Sequence, residues 1–111
     1  MEALSPTTVP VRIALPVQGF AEGHAILDHL VEERLVAGGT VLQAESLNWV
    51  AGEMTTKGKM ELTAYTTLGQ VPLIQERLTS LCSGDAPTVS RYVMAGEKEE
   101  IGEWIMKNVR S

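Results

Sequence analysis

From Val9 to Val17, apolar residues occupy every second position: Val9, Val11, Ile13, Leu15 and Val17 alternate with Pro10, Arg12, Ala14 and Pro16. A strict period of two puts each set on its own face of a strand. The small Ala14 on the second face leaves room for a helix to pack close. Both prolines stand near the ends, where a missing ladder donor is tolerated. After Gln18-Gly19 the period changes. Leu27, Leu30, Val31 and Leu35 follow helical spacing, while Glu22, Asp28, Glu32 and Glu33 lie mainly off that stripe. The pattern predicts a helix from Phe20 or Ala21 to Ala37, stopped by the left-handed potential of Gly38-Gly39.

Residues 41–66 read as a long β-hairpin. Met60, Leu62 and Ala64 alternate with Lys59, Glu61, Thr63 and Tyr65, the signature of a strand with one wet face. The hairpin tip is expected at Thr56-Lys57-Gly58-Lys59, and Gly52 suggests a bulge or a close backbone approach. A hairpin of this length exceeds what one domain needs to cover its own helices, so its outer half is expected to lean on another copy of the chain. Pro72 fits the first turn of a second helix, whose buried face is Val71, Ile74, Leu78 and Leu81 and whose end is Ser83-Gly84-Asp85. Thr88 to Ala95 is a last main strand. Ile101, Trp104, Ile105 and Val109 form the stripe of a terminal helix. The order is β-α-β-β-α-β with a helical tail. It predicts an α+β, ferredoxin-like sandwich: one four-stranded antiparallel sheet with two helices on one face.

At 111 residues the chain makes one domain. Residues 1–8 read as a disordered lead-in without signal-peptide character, and 9–111 as the domain. No run reaches the roughly 20 apolar residues that span a bilayer, and a cytoplasmic location is the expectation. The formal net charge is −5 and the nine Lys and Arg are scattered, which disfavours nucleic acid and anionic membrane surfaces as partners. A single cysteine, Cys82, excludes an internal disulfide and any CxxC site.

In this order and spacing, the residues resemble the CutA-type divalent-cation-tolerance proteins from about Val11 to Val109. Leu30-Val31-Glu32-Glu33-Arg34-Leu35-Val36-Ala37 is similar to that family's L-V-E-x-R-L-A-A. Ser46, Gly52 and Met54 fall on its S-x-Y-x-W-x-G-x-I hairpin, Thr66 on the threonine of its lysine-threonine pair, and Val71-Pro72 and Pro87 on its second helix start and following proline. The resemblance implies a tight homotrimer whose long hairpins reach across to neighbouring subunits. It also implies an association with tolerance of copper and other divalent ions, and no defining enzymatic activity.

The departures bear on any site. Glycine, Gly38 or Gly39, replaces the family's cysteine, and Cys82-Ser83-Gly84 replaces H-P-Y. Tyr65 replaces the lysine, and Asn48 the hairpin tyrosine. Trp49 stands one residue before the position of the family's tryptophan, which Val50 fills. A shift of one turns a strand side chain to the opposite face. The changes predict that direct metal binding is weakened or lost.

Candidate chemistry is correspondingly sparse. Cys82, placed on the buried stripe four residues after Leu78, with Asp85 nearby, is the candidate metal pair, for a divalent cation such as copper. One thiolate and one carboxylate fall short of the donor set that copper(I) or zinc prefers, and a small core hydrophobe is the plainer role. Trp49, Asn48 and Tyr65 are the candidate lining of a ligand cleft between subunits, against a plainer role in interface packing. His24 and His29 sit five apart and diverge by about 140° on an ideal helix; each has an i+4 carboxylate, Asp28 and Glu33, as an ordinary surface partner. No phosphate loop, Ser/His/Asp set or HExxH is present. The chain therefore reads as a non-enzyme. An alternative from another class is a PII-like signalling trimer holding a nucleotide between subunits, for which Lys57, Lys59 and Arg91 are the available cations.

Overall fold

The computed structural model describes residues 8–82, 87–94 and 99–110. Its elements run β1 Pro10–Val17, α1 Phe20–Glu32, β2 Gly38–Val50, β3 Glu53–Thr67, α2 Val71–Leu81, β4 Ser90–Val93 and α3 Glu99–Asn108. The strands form one antiparallel sheet in the order β2-β3-β1-β4. This is the expected α+β arrangement of two interleaved β-α-β units.

The period-two strand holds as read. Val11, Ile13, Leu15 and Val17 pair in register with Thr66, Ala64, Leu62 and Met60 of β3, and this face carries the core. Ile26 and Leu30 of α1 and Val71, Ile74 and Leu78 of α2 close over it. Leu81, assigned to the buried stripe, is exposed at the last residue of the helix. On the opposite face, Arg12 lies 4.6 Å from the ring centre of its cross-strand neighbour Tyr92. The terminal helix covers one end of this second face: the Trp104 ring meets Tyr65 edge-on at 5.8 Å, and Ile105 and Val109 are buried outside the main core cluster.

Helix α1 stops at Glu32, five residues short of the expected Ala37. Arg34 takes the left-handed conformation, φ 60°, and closes a Schellman motif: Arg34 N–H donates to Val31 O (3.0 Å) and Leu35 N–H to Leu30 O (2.9 Å). The accompanying apolar contact is supplied by Leu30 and Leu35, both fully buried. Leu35 thus reaches the core from beyond the helix, and its helical spacing misled. Gly38-Gly39 is not the stop; it opens β2. A Cβ on Gly39 would collide with the Thr63 carbonyl oxygen and Ala64, so the close approach of β2 to β3 at this position needs the missing side chain.

The hairpin tip is Ala51-Gly52, not residues 56–59. Val50 pairs with Glu53, and both turn residues have positive φ, 52° and 82°, as a two-residue type I′ turn requires. Gly52 is therefore a turn residue rather than a bulge, and Lys57-Gly58 lies mid-strand opposite Ser46 and Glu45. β4 covers only Ser90–Val93 of the expected 88–95, Ala95 lying outside the described residues.

β1 pairs with β3 only as far as Met60. Residues 53–59 of β3 and their partners on β2 continue as an unsupported two-stranded arm, about 24 Å long at ~3.4 Å per residue. The chain measures 53 × 32 × 20 Å with a radius of gyration of 15.4 Å. A compact domain of this length has about 13 Å, and the arm accounts for the excess.

Gly39→Ala is expected to lower stability by about 2 kcal/mol, since backbone atoms obstruct the added methyl. Gly58→Ala, whose added Cβ meets nothing within 4 Å, should leave the denaturant midpoint unchanged or raise it slightly. Equilibrium urea unfolding of both variants checks the pair.

Candidate functional site

The residues singled out by sequence fall in three places. The first is the junction where α1 hands over to β2. Beyond the Schellman turn, Ala37 N–H donates to Tyr65 O (2.8 Å), and the buried Thr66 hydroxyl donates to Leu35 O (2.6 Å). Gly38 and Tyr65 are direct cross-strand partners. A Cβ on Gly38 would stand 3.0 Å from the indole of Trp104, so the ring of α3 fills the room a side chain would take. Tyr65 here is half-buried packing between β2 and α3.

Glu33 caps the end of α1, where a carboxylate faces the negative end of the helix dipole. Arg77 of α2 offsets this: its Nε lies 3.1 and 3.2 Å from the two carboxylate oxygens, and His29 Nε2 lies 2.8 Å from one of them. The hydrogen bond from Arg77 holds the Glu33 carboxyl below its ordinary value of 4.5; burial opposes it, and the charges of Arg77 and His29 add to the lowering. The His29–Glu33 contact was legible as an i+4 pair. Arg77 was not, since 44 residues separate it from Glu33 and no local pattern links them.

The second place is the arm. Trp49 is 79% exposed beside the tip, and the Asn48 carbonyl accepts a hydrogen bond from Thr55 Oγ1 at 3.3 Å. Trp49 pairs with Met54, and Tyr65 is eleven residues farther along β3. At ~3.4 Å per residue that is about 37 Å. One protomer therefore does not bring Trp49 and Asn48 to Tyr65. As strand neighbours, Trp49 and Asn48 also point to opposite faces.

The third is the end of α2. Cys82 caps that helix in extended conformation (φ −96°, ψ 136°) rather than riding its buried stripe, and it packs partly buried against the core. Burial pushes its thiol above the ordinary range, and the nearby Glu22 carboxylate adds to the rise. A protonated thiol is a poor metal ligand. Asp85 lies outside the described residues. Among the described residues, no three His, Cys, Asp or Glu side chains converge as a metal site. His24 lines a different feature, an open groove of about 530 Å³ between α1 and β2 with Phe20, Leu27 and Val41. No described helix is long and apolar enough to cross a membrane.

A family profile described as CutA1 divalent ion tolerance protein matches residues 11–108. No curated protein matches the chain. Many solved structures share the fold. CutA1 from Oryza sativa superimposes with a TM-score of 0.76 at 20% identity, over 96% of this chain and 98% of its own. The divalent cation tolerance protein of Thermus thermophilus gives 0.74 at 24% identity, over 91% and 99%. A CutA from Archaeoglobus fulgidus, called periplasmic, gives 0.74 at 17% identity, over 91% and 99%.

The lowered pKa of Glu33 has a definite pH signature. Its contribution to stability is present above the unfolded value near 4.5 and is lost as pH falls through the lower folded value. Glu33→Gln is expected to be less stable than the wild type at neutral pH, the gap closing on acidification below that range. Paired thermal melts across pH check this; a gap that widens in acid contradicts it.

Proposed function

Because the chain belongs to the CutA1 divalent ion tolerance family, we propose that it works as a non-enzymatic homotrimer associated with tolerance of divalent metal ions, copper among them, and holds no tight metal site of its own. The observation that carries the assembly is the arm. Seven residues of β3 and their β2 partners extend past the last β1 contact with apolar side chains exposed. A two-stranded ribbon of this kind is marginal in water without cover. The family resemblance implies three copies.

What supports weak metal binding is the loss of donors: glycine stands for the family's cysteine and Cys82-Ser83-Gly84 for H-P-Y, and Cys82, the one thiol of the chain, packs partly buried against the core. A small-ligand cleft belongs to the same proposal. Tyr65 meets Trp49 or Asn48 only where the arm of one protomer lies over the body of the next, since about 37 Å separates them within a chain, and because those two face opposite ways only one of them lines such a cleft. The PII-like alternative gains no support from the cations. Lys59 is bonded to Glu61 at 3.2 Å, and Lys57 stands on the arm while Arg91 stands on β4. A cytoplasmic location is also part of the proposal, and cell fractionation tests it.

Light scattering at micromolar protein is expected to give three times the protomer mass. Calorimetry with copper(II), copper(I) and zinc is expected to show no submicromolar site. Submicromolar binding abolished by Cys82→Ser would overturn the metal half of the proposal, and a monomer at high concentration the assembly half.

A further inference from the structure

Among the described residues, the main core closed by α1 and α2 includes none from α3. That helix packs on β3 and β1 from the other side of the sheet. Its attachment is narrow. Ile105 and, just past the helix end, Val109 are buried, while Trp104 stays 40% exposed. Two hydrogen bonds tie the residue that follows: Arg110 N–H donates to the Arg34 carbonyl at 2.8 Å, and Gln70 Nε2 donates to the Arg110 carbonyl at 2.7 Å in an exposed position. A bond that water can replace adds little to the hold.

The helix is also weak in itself. Its ten residues fall short of the roughly 12–15 at which an isolated helix persists in water. Gly102 stands within it, and a Cβ added there meets nothing within 4 Å. Packing does not require that glycine, and its backbone freedom disfavours the helical state about fivefold relative to alanine. A helix this short and this interrupted does not survive undocking, so leaving the sheet and losing helical structure are one event. The core left behind stays closed by α1 and α2. What opens is the place at Gly38 and Tyr65, where Trp104 sits by steric fit. A Cβ on Gly38 would stand 3.0 and 3.1 Å from two carbons of the indole, and the ring meets Tyr65 edge-on.

We propose that α3 is a releasable cover over the Gly38–Tyr65 end of the sheet. It opens as one unit ahead of the rest of the fold, with Trp104 as its key and Gly102 as the residue that keeps it weak. Tyr65 is half-buried only while the cover is closed, so its access follows this equilibrium. The opening stands apart from the metal, cleft and assembly readings and does not depend on them.

Native-state hydrogen exchange on the whole protein, at low and rising denaturant, tests the cover. The amides of residues 103–109 should exchange through an opening at least about 100-fold more populated than the one that exposes Leu62 and Ala64 of β3, and with weaker denaturant dependence. Gly102→Ala should slow α3 exchange about fivefold. Ile74→Val, in the core beneath α1 and α2, should speed exchange at Leu62 and Ala64 severalfold and leave α3 unchanged. Gly38→Ala should speed α3 exchange by pressing on the indole, and should no longer do so beside Trp104→Phe, whose smaller ring gives way. Amides of α3 that exchange only together with β3, or that follow the Ile74 change, overturn the proposal. Gly38→Ala acting equally with either ring overturns the role of Trp104.

Discussion

β3 is fifteen residues long and β1, its inner neighbour, only eight. That mismatch governs the molecule. Where both strands are present, β3 is a central strand with Leu62, Ala64 and Thr66 buried under two helices. Where β1 ends, the same strand and its β2 partner continue with no layer above or below them among the described residues. The body satisfies itself and the arm does not. Every feature that distinguishes this chain from a self-contained sandwich, from its elongated outline to its exposed tryptophan, follows from those unmatched residues.

The sheet and helix order were legible because their signals are local. The alternation from Val9 to Val17 and the Pro72 entry to α2 depend on neighbours a few positions away, and the structure reproduces both. Two boundaries failed for a common reason: a non-glycine residue took a left-handed conformation. Arg34 ends α1 and Ala51 starts the hairpin turn, while the glycines that would normally mark such positions, Gly38-Gly39 and Gly58, lie inside strands. Gly39 is there because β2 passes too close to β3 for a side chain. A glycine signals tight backbone geometry in sequence without revealing whether the chain turns or merely squeezes past.

The candidate site was legible in part only. Residue types could be named, but their meetings are long-range. Tyr65, Gly38 and Trp104 come from three elements and fit together because the missing side chain of one makes room for the ring of another. Glu33 and Arg77 join α1 to α2 across 44 residues. Conversely, Trp49 and Asn48, adjacent in sequence, look in opposite directions on the arm. Cys82, four residues from a core leucine, leaves the helical stripe because α2 ends one residue earlier.

The bare ribbon carries a hazard of its own before any partner arrives. An exposed two-stranded arm is a template on which other arms could stack edge to edge into fibrous aggregates. Glu45 and Glu53 on one hand, Lys57 and Lys59 on the other, interrupt its apolar residues at short intervals. Such charges act as gatekeepers, since stacking copies in register would bring like charges together strand upon strand. The arm is thus apolar enough to be covered in a specific assembly and charged at the intervals that keep newly made chains from polymerising.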